Sequence, residues 1–334
     1  MARWLKENAA DADIVVSTRA RLARNMAGVP FPQRIRGTAQ ARTVCRAATD
    51  AFLGGGQDFS CVVMRDLREA QRGGLVAHHV ISRELAALPD GELIRSRDDA
   101  ISVMLLEEDH YRLQYLTGGF APEEAYRVCR ELERMLGKHT AYAFDPKLGY
   151  LTACPSNVGT GLRLSVMLHL KGLSLSGNVD RVLGQLGQFG LTARGAYGEG
   201  TAPVGDFYQV SNQITLGVSE ADIVKNIRQV VGRLIAQERE VRQILYKNNR
   251  LEIEDRVMRA YGTLKHARRI SWEEASELLS TLAFGIGLGI ATPCTEGAVY
   301  NLIMDSMPAA LTAVEVPAGE QDVSRANRIR KTLD

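Results

Sequence analysis

Arginines recur in this chain beside turns and strand ends, at spacings that suit a polyanion. Arg19, Arg21 and Arg24 lie in STRARLAR, residues 17–24, directly after the β-branched run at 13–17. In extended backbone Arg19 and Arg21 project from one face, so both can reach the same phosphate chain. A solvated basic edge is the other reading of that charge run. Arg112, Arg163 and Arg194 follow in separate segments. Arg163 closes CPSNVGTGLR, residues 154–163, where an apolar run enters a Cys-Pro-Ser-Asn turn and then Gly-Thr-Gly. The pattern over 162–170 predicts a helix. Backbone N–H groups at its start, with Arg163 in its first turn, would hold an anion. A structural turn with Thr160 as helix cap gives the same local pattern.

The acidic groups supply the complement. Glu107, Glu108 and Asp109 stand together between two apolar runs, and Glu199 sits in the glycine-rich stretch RGAYGEG. Carboxylates so placed call for a cation, and a guanidinium fork is the natural partner of a carboxylate pair. If the arginines converge, their site needs a triphosphate-sized polyanion, and phosphoryl transfer is catalysed by that kind of charge neutralisation. An arginine side chain that attacks phosphorus must lose a proton, and a carboxylate that orients the fork can accept it. Cys154, exposed beside that cation, would add a thiolate; as a small buried hydrophobe before a proline turn it would add nothing. Glycine-lysine phosphate loops, dinucleotide turns and protein-kinase signatures are absent.

Elements of ordinary kinds must position these groups. At 334 residues, 45% hydrophobic and 24% charged, the chain reads as a globular protein of two domains. A net charge of +2 excludes a bulk nucleic-acid binder and leaves basic sites to local clustering. Five dispersed cysteines without C-x-x-C spacing predict a reduced, cytoplasmic protein with no zinc site. The uncharged stretch 278–295 is interrupted by glycines and reads as a helix end and turn, not a membrane span.

Strands are expected at 13–17, 59–64 and 75–80, with a hairpin of 101–106 and 111–116 whose tip is acidic. A second hairpin is expected from 207–210 and 213–217 with Ser211-Asn212 as its turn. His78 and His79 have no metal-type partner at ligand spacing and read as packing or polar-network residues. Helices are expected at 38–53, 122–136 and 181–189, then a long amphipathic one at 222–247 with a cap at Ser219. Beyond the polar break 247–250 only helical patterns occur, at 251–264, 272–283, 297–307 and 320–333. The division predicted is a catalytic α+β domain, 1–248, and a small all-helical domain, 249–334.

Taken in order, STRARLAR, LEEDHYR, CPSNVGTGLR and RGAYGEG resemble the catalytic domain of the phosphagen (guanidino) kinases. The whole chain, from about residue 11 to its end, is similar to their bacterial protein arginine kinase branch. The resemblance implies a mostly antiparallel sheet flanked by helices, like that of glutamine synthetase's catalytic domain. It implies that Arg19, Arg21, Arg112, Arg163 and Arg194 hold the phosphates of ATP, with Mg2+ carried mainly on phosphate oxygens. Glu108 would be the catalytic base, Glu107 or Glu199 would grip the guanidinium, and Cys154 matches the family's active-site cysteine.

Departures from the family pattern sharpen the expectation. Kinases of free guanidino compounds carry a helical domain ahead of the arginine strand, where this chain has barely any sequence, so the pocket should stay open to a side chain on a protein. Those kinases also have a basic residue after Ser-Asn, where Gln213 stands here. The branch's phosphoarginine motif, R-D-x-x-R-A, is matched by QDVSRA, residues 321–326: Asp322 and Arg325 are kept, and Gln321 replaces the leading arginine. The expected function is ATP-dependent phosphorylation of protein arginines in the cytoplasm. A kinase of a small guanidino compound and a non-catalytic phosphoarginine adaptor are the alternatives. Family inference adds a zinc-containing activator protein, a Clp-type unfoldase and a stress-response setting, and it allows a homodimer.

Overall fold

The central strand explains the sheet. In β1 (Val15–Arg24) the alternation puts Thr18, Ala20, Leu22 and Arg24 on one face, all buried, while Arg19 and Arg21 stand on the other, half-buried. Apolar-in alternation of this kind is what a strand with one packed face requires. The computed structural model describes residues 4–5, 9–54, 58–196, 203–290 and 294–333.

Around β1 lie β2 (Phe59–Val63), β3 (Glu92–Ser96), β4 (Ile101–Leu105), β5 (Tyr111–Gly118), β8 (Leu162–His169), β9 (Leu191–Gly195) and β10 (Phe207–Asn212). Together they form one eight-stranded sheet in the order β2-β3-β4-β5-β1-β8-β10-β9, with a two-residue ribbon, β6 (Phe144–Asp145) and β7 (Gly149–Tyr150), set apart. All the pairings in it are antiparallel. The helices are α1 (Pro32–Ile35), α2 (Ala39–Phe52), α3 (Glu69–Ala77), α4 (Arg83–Ala86), α5 (Pro122–Gly137), α6 (Lys171–Leu175), α7 (Val179–Gly184) and α8 (Glu220–Asn248). Then come α9 (Arg250–His266), α10 (Trp272–Gly287), α11 (Glu296–Ser306), α12 (Pro308–Ala313) and α13 (Gln321–Leu333).

Leu22, Leu113, Leu164 and Val210 from the sheet meet Val44 of α2, Leu132 of α5 and Ile227 and Leu234 of α8 in the main core. A second core lies on the opposite side, where Val16, Met167 and Phe207 pack on Leu279, Leu282, Val299, Tyr300 and Ile329 of the C-terminal helices. The arginine face of the sheet is therefore covered at one end by the helical region and left as a cleft beyond it. No helix among the described residues is long and apolar enough to cross a membrane.

Several expectations are corrected. Residues 162–169 form β8, not a helix, so Arg163 projects from a strand and not from the first turn of a helix. β8 is buried on both faces, and a continuous apolar run carries no period that separates strand from helix. The expected strand at 75–80 is the end of α3 and the turn after it. There Gly74 packs so close to α12 that a Cβ would lie 2.5 Å from Ala313 Cβ. No hairpin turns at Ser211-Asn212: both belong to β10, and Asn212 ties strand ends together through Leu162 O at 3.0 Å and the Leu164 N–H at 2.8 Å. The runs 13–17 and 17–24 join in one strand, while β3 and α12 were not anticipated from pattern.

Candidate active site

Within the run β5-β1-β8-β10-β9, every strand but β10 presents an arginine. Directly opposed residues in antiparallel strands share a face. Arg21 stands opposite Arg163, Arg19 opposite Ser165, and Ala23 opposite Arg112, while Arg194 pairs with Gln209. Arg19, Arg21, Arg112, Arg163 and Arg194 consequently line one cleft of about 850 Å³. Arg24 has the other parity. It is buried on the helical face, bonded to Glu133 at 2.6 Å and Glu220 at 3.2 Å, with Tyr150 stacked on it, and so belongs to the core and not to the cleft.

Few protein groups neutralise this cluster. Arg19 Nη2 donates to Gln209 Oε1 at 2.9 Å and Arg163 Nη2 to Ser211 Oγ at 3.2 Å. The Nε atoms of Arg21 and Arg163 are buried with no hydrogen-bond partner among the described residues. Burial, with Arg112 and Arg163 next to it, lowers the Arg19 pKa to about 10. Burial and the neighbouring guanidiniums push Arg21 well below its ordinary value, and Arg163 is lowered by burial, Arg194 and Arg112. Unsatisfied donors and mutual repulsion at one place are both relieved by a bound polyanion. The residues present therefore fit the phosphate tail of a nucleotide.

The acidic tip is held from outside itself. Leu106 turns the chain with φ 58° and its N–H donates to His110 O at 3.1 Å. Asn25, just past β1, accepts from the His110 N–H at 2.8 Å and donates to Asp109 Oδ1 at 2.7 Å. His110 accepts the Met26 N–H at Nδ1, 3.0 Å, and faces Pro30 O with Nε2 at 2.9 Å. Arg36 and Gln33 hold the Glu107 and Glu108 carbonyls. Glu107 is 2% exposed; Arg112 Nη1 donates to its two oxygens at 2.6 and 2.7 Å, and the Ser82 hydroxyl donates to Oε1.

Glu108 is exposed at the mouth of a smaller pocket of about 130 Å³, shared with Arg21, Arg112, Arg163 and Ser156. Partial burial and then the Asp109 charge raise its pKa, while a hydrogen bond with Cys154 pulls it down. The Cys154 Sγ lies 3.0 Å from Ser156 Oγ, half-buried at the entry to a short Pro155–Asn157 turn. Glu108 thus meets the arginine cleft where Arg21, Arg112 and Arg163 line both compartments, and Cys154 reaches it through its contact with Glu108. Glu199 lies outside the described residues.

Asp322 and Arg325 sit elsewhere, in the helical region. Arg325 is 1% exposed and donates to Ser306 O at 2.9 Å, Ile270 O at 2.7 Å and Asp322 Oδ1 at 2.8 Å. Gln321 Nε2 donates to Thr312 Oγ1 at 2.9 Å. In this arrangement the pair fastens α13 to the ends of its neighbours. His79 lines the cleft, a position spacing did not reveal. It has φ 60°, and burial followed by Arg19 lowers its pKa to about 3, so its ring is neutral. Ser82, Asn25, Asp109 and His110 were likewise invisible as supports, since each acts through contacts distant in sequence.

A family model described as ATP:guanido phosphotransferase, C-terminal catalytic domain, matches residues 40–241, and one described as protein-arginine kinase McsB C-terminal domain matches residues 250–334. A protein-arginine kinase of Halothermothrix orenii is 40% identical over 338 residues, covering 100% of this chain and 97% of that protein. The protein-arginine kinase of Bacillus subtilis is 39% identical over 340 residues, covering 100% of this chain and 93% of its own length. That of Moorella thermoacetica is 42% identical, covering 99% and 97%. Among solved structures, a lombricine kinase superposes with a TM-score of 0.60 at 29% identity, covering 71% of this chain and 70% of its own. A duplicated taurocyamine kinase from Schistosoma mansoni with bound transition state analogue components gives 0.59 at 26% identity, covering 69% and 34%.

Proposed function

We infer that this chain, which belongs to the ATP:guanido phosphotransferase family, is an ATP-dependent protein arginine kinase. It moves the γ-phosphoryl group of ATP to the guanidino nitrogen of arginine side chains in proteins. One observation carries the site: half-buried, poorly neutralised guanidiniums from the sheet stand against a pocket with the exposed carboxylate of Glu108 at its mouth.

In this reading Arg19, Arg21, Arg112, Arg163 and Arg194 neutralise the polyphosphate, and neutral His79 takes part in the cleft wall. The acceptor nitrogen forms the N–P bond as the bond from the γ-phosphorus to the bridging oxygen breaks, and that electron pair leaves with ADP. The nitrogen's proton passes to Glu108, whose raised pKa makes it a better proton acceptor than an ordinary carboxylate. Glu107 holds Arg112 on the acidic side and Cys154 adds a polar contact through Glu108, while a role for Glu199 rests on the family resemblance alone. Among the described residues no group of three His, Cys, Asp or Glu could hold a metal. Mg2+, which supplies further charge neutralisation, would be held by phosphate oxygens.

Incubation with γ-labelled ATP and either an unfolded arginine-rich protein or free arginine tests the reading. Acid-labile, hydroxylamine-insensitive label on protein is expected. Label on free arginine alone would instead favour a small-guanidino kinase, and no label at all a phosphoarginine adaptor built on Asp322 and Arg325. We assign the catalytic part to 1–248 and the helical part to 249–334, in line with the two model matches. A cytoplasmic setting, an activator protein and a Clp-type unfoldase that reads the mark follow from the family resemblance.

A further inference from the structure

We propose that Ser82 is a positioning residue for phosphoryl transfer, and that Glu107 serves to aim Arg112 instead of gripping the acceptor guanidinium. The proposal rests on the kinase reading of the site and adds a division of labour between the two adjacent glutamates.

The geometry separates them. Glu108 is exposed to the smaller pocket, whereas Glu107 is 2% exposed and already committed. A carboxylate offers about four lone-pair sites. Arg112 Nη1 takes one on each oxygen, at 2.6 and 2.7 Å, and the Ser82 hydroxyl takes another on Oε1. The Glu107 carbonyl is itself held by Arg36 Nη2 at 3.1 Å, so backbone and side chain are both fixed. An incoming guanidinium fork would need a free acceptor site on each oxygen, and on Oε1 both are already taken, by Arg112 and Ser82. The bonds to Glu107 use one terminal nitrogen of Arg112, which leaves the rest of that guanidinium for an anion.

Ser82 gives this pair its direction. It is the N-cap of α4, where its Oγ accepts the Leu85 N–H at 3.0 Å. The same oxygen has one hydrogen, and in this structure that hydrogen goes to Glu107 Oε1. Ser82 lines the larger cleft, Glu107 the smaller pocket, and Arg112 both. The chain Ser82–Glu107–Arg112 therefore links the α4 wall to an arginine standing where a transferring phosphoryl group would cross.

Three substitutions in the full chain test this. Ser82→Asp retains a helix cap but, when ionised, cannot donate and repels Glu107; Ser82→Ala loses both functions; Ser82→Thr keeps both. With ATP and an unfolded arginine-rich protein as substrates, Ser82→Ala should lower kcat/KM for ATP on the order of tenfold, the usual effect of a lost hydrogen bond to a charged group. Ser82→Asp should lower it further, Ser82→Thr should stay close to wild type, and KM for the protein acceptor should stay within about twofold throughout. Melting curves report the cap separately, through a loss in Ser82→Ala that Ser82→Thr does not show. A Ser82→Asp enzyme with unchanged ATP kinetics would overturn the positioning role. So would a Glu107→Gln enzyme that raises only the acceptor KM, because Glu107 would then be the grip. Absence of transfer by the unmodified chain would sink the kinase reading instead, so the two failures are distinguishable.

Discussion

At the scale of single residues, the site depends on charges kept in an unfavourable state until a ligand arrives. Arg19, Arg21 and Arg163 are each lowered in pKa by burial and by neighbouring guanidiniums, Arg112 among them in every case, the mark of cations awaiting an anion. Glu108 is shifted the other way, so its proton affinity exceeds that of an ordinary carboxylate. Glu108→Gln keeps shape and hydrogen bonding but cannot accept a proton. It should lower kcat on the order of 10²–10⁴-fold with ATP binding intact, which rapid-quench turnover and nucleotide titration would measure separately. The sign of the pH dependence follows. The base works only when deprotonated, so kcat/KM should rise with pH through a value above the ordinary carboxylate range and then level off. A Glu108→Gln enzyme with the same acidic limb would move the base to another group.

At the scale of elements, strands aim the arginines and a locked loop aims the acids, and each is legible in the sequence only in part. Alternation over residues 19–24 places Arg19 and Arg21 together because a strand's period is fixed. It equally sends Arg24 to the core, which a count of nearby arginines conceals. The hairpin of β4 and β5 could be read from two apolar runs around an acidic tip. What holds that tip could not, because Asn25 lies 84 residues from Asp109 in sequence yet bonds it at 2.7 Å and Leu151 O at 3.0 Å. The β8 misreading has a similar origin: Leu162, Leu164, Val166 and Leu168 are wholly buried beneath helices whose placement local pattern does not encode. Asn25→Ala should strip partners from buried Asp109 and the His110 N–H. A stability loss of about 1–3 kcal/mol is expected, together with a lower kcat at nearly unchanged ATP affinity. Denaturant melts and steady-state kinetics would register both, and an unaffected kcat would mean the loop holds its shape without Asn25.

At the scale of the whole molecule, two family models divide the chain, but its packing does not. Arg242 and Glu238 of α8 form a buried pair at 2.6 Å on which several elements converge. Glu238 accepts the Gly172 and Leu173 N–H groups at the start of α6, at 2.7 and 2.8 Å. Arg242 donates to Asp13 O ahead of β1 and to His169 O at the end of β8, each at 2.8 Å. The His169 ring then stacks on Phe207, with centroids 4.8 Å apart, and approaches Ser280 Oγ of α10 at 2.9 Å. Burial, Arg242 and Lys171 keep that imidazole uncharged, its pKa well below the usual range. The arginine strands are thus anchored, through one ion pair and one neutral ring, to the helical region that closes an end of their cleft. Intact chain should accordingly unfold in a single calorimetric transition. Glu238→Ala, which leaves Arg242 buried without its carboxylate, should lower its stability by about 3–5 kcal/mol. The loss should reach the helical region as well as the sheet, because neither can keep the second core alone. Two resolved transitions, with only one responding to Glu238→Ala, would mean that the helices fold independently and that the cleft's closed end is a docked contact, not shared core.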